Sequence, residues 1–100
     1  MQFLALERDL PAEDADFAPH AKPEAARVWE LYQAGIVREM YFRADRSAAV
    51  LVLECADIVE ARAALASLPM VQAGLIEFEI IPLAPYPGFA RLFAPKPEER

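Results

Sequence analysis

Four side chains of this 100-residue chain could move a proton near neutral pH: Glu24, Glu39, Glu54 and His20. Such chemistry needs a base, a return path for the proton and donors that hold a developing enolate oxygen. Arg38 and Arg43 could hold an anion, and Tyr41 could donate to one. Glu39, Tyr41 and Arg43 fall on alternate positions of a strand-like run, so a base, a donor and a cation share one face. That grouping suits a carboxylate-bearing ligand, and it equally suits an ion pair guarding a sheet edge. Arg38 alternates with Met40 and Phe42 on the opposite face, where a charge calls for a reason such as a subunit interface. Glu24 falls in the first turns of a helix, where free amides favour a carboxylate; a solvated helix-start charge is the plain alternative. His20, the only histidine, is a candidate base or an exposed helix-start residue. Trp29, Tyr32, Tyr41 and Phe42 could wall an aromatic or lactone pocket, with core packing the plainer duty of Phe42.

The rest of the composition narrows the chemistry. Without His or Cys partners for His20, no zinc or iron site is expected. Cys55 is the only cysteine, so no internal disulfide is possible, and a reducing cytoplasm is the expected setting. At the end of an apolar strand it reads as inert packing. Gly35, Gly74 and Gly88 are far apart, so no phosphate-cradling loop and no nucleotide cofactor is expected. A net charge of -6 with no basic cluster argues against nucleic acid. No apolar run approaches the roughly 18 residues of a membrane span, and Met1 leads into a strand-like run with no basic leader. Hydrophobic residues make up 56% of the chain, more than one small core absorbs, so an oligomer interface or a ligand cavity should take the surplus.

The elements that must position these residues follow from the periodicities. Gln2 to Glu7 reads as a first strand. From about Asp16 to Ala34, Phe17, Ala21, Ala25, Val28, Leu31 and Tyr32 recur at helical spacing; Pro19 and Pro23 complicate the start, and Gly35 ends the helix. Ile36 to Arg43 is a second strand, a polar connection follows, and Ala48 to Cys55 is a third strand, apolar enough to be central. Asp57 and Glu60 form a capping box ahead of a helix with Ala61, Ala64, Leu65 and Leu68 on its apolar face, stopped by Pro69. Ile76 to Leu83 is a fourth strand. The order βαββαβ in so short a chain predicts an α+β, ferredoxin-like unit over residues 1–84, a four-stranded antiparallel sheet with both helices on one face. The segment 85–100 reads as an arm. Its prolines forbid a regular strand, yet Tyr86, Phe89, Leu92 and Phe93 need cover, so it should pack on a partner subunit to about Phe93 and be disordered beyond.

The chain resembles the dimeric α+β barrel superfamily and, within it, muconolactone isomerase and its relatives. The residues that carry the likeness are Leu31-Tyr32-Gln33-Ala34-Gly35, the strand with Arg38, the helix end Ala64-Leu65-Ala66-Ser67-Leu68-Pro69, and Ile76-Glu77-Phe78-Glu79-Ile80 followed by Pro82-Leu83. The resemblance implies a sheet-to-sheet homodimer, often built into rings. It also implies an intramolecular isomerase without metal or cofactor that shifts a proton in a small unsaturated lactone. An acid near Glu24 is part of it. Glu24 or Glu39 would then move the proton, Arg43 or Arg38 would hold the substrate carboxylate, and Tyr41 would donate to the enolate. The superfamily also contains cofactor-less oxygenases of aromatic compounds, and a non-catalytic ligand-binding or structural role stays open beside both.

Overall fold

The computed structural model describes residues 1–93. Strand β1 (Gln2–Asp9) alternates, with Phe3 and Ala5 fully buried and Leu4 and Leu6 on the other face. A short helix α1 (Asp14–Phe17) and a 3-10 turn (Ala18–His20) lead into helix α2 (Ala21–Gln33). The helical pattern from Asp16 is therefore interrupted at the prolines, and the long helix begins close to Pro23. Pro19 sits in the tight turn, and Pro23 takes the first turn of α2, where its missing N–H leaves no bond unmade. Strands β2 (Val37–Phe42) and β3 (Ala49–Glu54) form a hairpin closed by Arg43 N–H to the Ala48 carbonyl, 2.9 Å. Helix α3 (Ile58–Ala66) is capped by Asp57, whose Oδ1 accepts the Glu60 N–H at 2.9 Å. Glu60 reaches Ala56 N–H rather than its own cap residue. Pro69 does more than stop this helix: it opens a further turn, α4 (Pro69–Gln72). Strand β4 (Ile76–Pro82) completes a four-stranded antiparallel sheet of order β2-β3-β1-β4. The α+β, ferredoxin-like architecture is the one the sequence predicts.

Helices cover one face of this sheet. Phe3, Ala5, Val37, Leu51 and Leu53 pack there against Leu31, Ala61, Ala64, Leu65 and Leu68, with buried Cys55 at the strand end. Two glycines set where the helices stop. Gly35 (φ +81°) donates to the Tyr32 carbonyl while Ile36 donates to Leu31; Gly74 (φ +75°) donates to Val71 while Leu75 donates to Met70. Each pair closes a helix in the same left-handed manner and turns the chain back into a strand.

The strand faces differ from simple alternation in one place. Val37 pairs with Leu53 and Glu39 with Val52, so Arg38 is an extra residue, a β-bulge. The bulge resets the phase: Met40 and Phe42 join Val37 on the helix side, while Glu39 and Tyr41 lie on the open side. Strict alternation sets Val37 opposite Met40 and Phe42; the bulge brings the three onto one face and leaves Arg38 exposed and without a strand partner.

The open face carries Leu4, Leu6, Val50, Val52 and Ile81, all half-buried in the single chain. Past β4, Tyr86, Phe89, Leu92 and Phe93 are exposed, the last at 83%, with Tyr86 and Phe89 in edge-to-face contact. The expected disorder of the chain end falls on residues 94–100, outside the described ones. Among the described residues, no helix is long and apolar enough to cross a membrane.

Replacing Gly35 by Ala should lower stability by about 1 kcal/mol in urea unfolding, because the left-handed backbone at the end of α2 then strains a Cβ.

Candidate functional site

Helix α2 buries only Leu31 completely. Its N-terminal half stands off the sheet, and the gap is a cavity of about 460 Å³. The floor comes from alternate residues of all four strands: Met40 and Phe42, Ala49 and Leu51, Glu7, and Phe78. Ala21, Glu24, Ala25, Val28 and Trp29 of α2 form the wall, and Leu68 and Met70 close the end. Trp29 is 55% exposed and Phe42 69%, so the mouth opens beside the β2 edge.

Two carboxyls face this apolar space. Glu24 leaves the first turn of α2, and its Oε1 accepts the Met70 N–H at 2.9 Å. That amide lies in the first turn of α4, where helical bonding leaves it free. Glu7 follows Phe3 and Ala5 on the buried face of β1, and its Oε1 accepts the Ala49 N–H at 2.9 Å, just past the last β1–β3 pair, Leu6 with Val50. Arg27 adds a further tie between the helices, donating from Nε to Ser67 Oγ at 2.9 Å.

The cavity tunes both acids upward. Burial raises the Glu7 carboxyl from 4.5 to about 7, with help from a hydrogen bond shared with Asp9 and from the charges of Asp9 and Glu24; the Ala49 amide opposes this. Burial also raises Glu24, countered by the Met70 amide and by the charge of His20. Near neutral pH the two environments differ. Glu7 retains much of its proton, while the Met70 amide supports the anion of Glu24.

Of the residues the sequence singles out, the cavity gathers Glu24 and Trp29, with His20 beside Glu24. Tyr32 stacks on Trp29 outside it, centroids 5.5 Å apart, and is 47% exposed. Tyr41 lends a part of itself to the cavity lining, but its hydroxyl donates to Glu39 Oε1 at 2.8 Å on the exposed side, and the carboxylate raises the phenol. Arg43 forms a two-point pair with Asp45 in the hairpin connection, 2.8 and 2.7 Å, and Arg38 is exposed on the bulge; neither lines the cavity. Glu54 pairs with the amino group of Met1. Cys55 is packed in the core, where burial pushes its thiol up. Glu7 is the residue that sequence reasoning passes over. The available signal was its place two residues beyond Ala5, on the buried phase of β1. Among the described residues, no three His, Cys, Asp or Glu side chains converge as metal ligands.

The βαββαβ order, the four-stranded antiparallel sheet and the cavity under its first long helix give the chain a ferredoxin-like α+β fold. Its sequence matches the muconolactone delta-isomerase family over residues 2–88, and the chain belongs to that family. Among solved structures it is similar to 5-chloro-2-hydroxyhydroquinone dehydrochlorinase from Burkholderia phenoliruptrix AC1100, in complex with 2,5-dihydroxybenzoquinone. That likeness has a TM-score of 0.67 at 16% identity and covers 84% of this chain and 94% of the other. No curated protein matches the sequence at a significant level.

The Glu7 environment has a consequence for stability. An unfolded Glu7 gives up its proton near 4.5 and the folded one near 7, so the folded state holds more protons between those values. Stability therefore falls as pH rises through that window. Glu7→Gln should remove that loss, flattening stability between pH 5 and 8 by about 1–2 kcal/mol once solvent access to a half-buried group is allowed for, as read by urea midpoints across pH.

Proposed function

We propose that the chain is a cofactor-independent isomerase that shifts a proton within a small unsaturated lactone. The observation that carries this is the pair Glu7 and Glu24 in one apolar cavity. Family membership supports the reaction class. Glu24, its anion supported by Met70 N–H, takes a proton from the ring carbon that the carbonyl acidifies. The C–H electrons move into the conjugated carbonyl and leave an enolate. Glu7, raised to about 7 and so still partly protonated near neutral pH, donates to that system and returns a proton to the far carbon, and proton exchange through solvent at the open mouth then resets both carboxyls. One C–H bond breaks, another forms, the double bond moves, and nothing is oxidised. The apolar walls exclude water and strengthen each hydrogen bond to the enolate.

The same base in the same apolar lining also suits a cofactor-less oxygenase, in which Glu24 would take a proton from an electron-rich phenol. Oxygen uptake would distinguish that reaction from isomerisation.

The half-buried open face with Leu4, Leu6, Val50, Val52 and Ile81 supports a homodimer joined sheet to sheet. The exposed aromatic arm supports a second contact with a neighbouring subunit.

With chelator-treated protein and unsaturated lactones in D2O, proton NMR should show the double bond move and deuterium enter the ring. Glu24→Gln and Glu7→Gln should each lower kcat by about 10²–10⁴-fold; full activity in both variants would remove the two-carboxyl mechanism. Leu6→Asp should shift the sedimentation mass toward the monomer, and truncation after Pro85 should weaken assembly. An unchanged mass in both would remove the proposed contacts.

A further inference from the structure

The cavity is built unlike a site for an anion. Its polar side chains are carboxyls, Glu7 and Glu24, apart from the indole N–H of Trp29 and from Tyr41, whose hydroxyl is engaged by Glu39; among the described residues neither Arg, Lys nor His lines it, and His20 lies beside Glu24 outside the lining. The arginines nearest in sequence to its floor are turned elsewhere: Arg8 beside Glu77, Arg43 on Asp45, and Arg38 on the exposed bulge. A carboxylate brought into this space would lose its water, find no cation among the described lining residues, and face two carboxyls. Both carboxyls already accept one backbone N–H, so what they offer a ligand is further acceptor capacity, or an O–H where protonated. Met40, Phe42, Leu51, Val28, Trp29 and Phe78 offer flat apolar contact.

Taking the isomerase mechanism above as its basis, we infer that the cavity selects neutral rings. Its substrate class is an uncharged, unsaturated lactone or cyclic enone whose acidic C–H meets Glu24, with no free carboxylate on the ring. The volume of about 460 Å³ holds one such ring with a short substituent. Where a substrate of this family carries a carboxylate, this chain lacks, within its own cavity, the cation that would recognise it.

Trp29 gives a readout that does not depend on turnover, because it is the only tryptophan and stands at the cavity mouth. Its fluorescence should be titrated at pH 8 with three probes: muconolactone as the free carboxylate, its methyl ester, and benzylammonium. The ester is expected to bind at least tenfold more tightly than the carboxylate. Glu24→Gln should narrow that gap by improving the carboxylate. Equal or tighter binding of the carboxylate overturns the inference. So does binding of benzylammonium alone, which would make the carboxyl pair a cation site, and so does the absence of quenching by the ester. Turnover of the same probes separates the two proposals. A bound ester that is never isomerised sinks the isomerase mechanism and leaves the selectivity standing. Preferential isomerisation of the carboxylate does the reverse.

Discussion

Two backbone amides left over by regular secondary structure hold the candidate site together. Ala49 N–H lies just past the last β1–β3 pair, and Met70 N–H lies in the first turn of α4. Each needs an acceptor, and each finds a carboxylate rather than water. The consequence runs in both directions. The amides fix where Glu7 and Glu24 sit, and the carboxyls tie β1 to β3 and α2 to α4. Cutting either bond would free an acid to reach solvent, and the cavity would lose the groups that give it chemistry.

That arrangement depends on an asymmetry between the two long helices. Ala61 and Ala64 let α3 lie close on the sheet, where it buries Ala61, Ala64 and Leu65. Helix α2 anchors through Leu31 near its C-terminus, while Ala21 and Ala25 at its other end are too small to reach the floor. The small residues have opposite effects on the two helices: in α3 they permit contact, in α2 they leave room. Arg27, bonded to Ser67 Oγ, and Glu24, bonded to Met70, then hold α2 at that spacing. The bulge at Arg38 completes the floor, since without its phase shift Met40 and Phe42 would not follow Val37 onto the cavity side.

The fold was legible because its signals are periodic. The four strands, the two long helices and the left-handed stop at Gly35 follow from alternation, helical spacing and capping chemistry. Pro69 was legible as a boundary but not as the start of a new turn, which depends on Leu68 being held in the core. The bulge did leave a trace, since the adjacent polar pair Arg38-Glu39 between Val37 and Met40 breaks the alternation, but strict period-two counting from Ile36 passes over it. Half of the site was legible for the same reason. Glu24 carries a local signal, an acid in a helix's first turn. Glu7 carries a non-local one, since what matters is the cavity that α2 leaves above it. The Glu39, Tyr41 and Arg43 grouping had the right chemistry, but the bulge and the hairpin turned it to the open side, where Tyr41 pairs with Glu39 and Arg43 with Asp45.

Phase, rather than residue type, separates an acid that can do chemistry from one that cannot. Glu39 and Glu79 project on the open face, and Glu54 is neutralised by the chain's own amino group. Glu7 shares its face with Phe3 and Ala5, which are buried at 1% and 0%, and the burial this brings is the largest of the causes that move its carboxyl from 4.5 to about 7. A strand selected only for stability would place Val or Leu there, as a half-buried acid with a raised pKa weakens the folded state at neutral pH. Local rules of this kind are broken where a site needs them broken. The break at Glu7 therefore points to the same cavity as the first-turn acid of α2, from the opposite wall and on independent grounds.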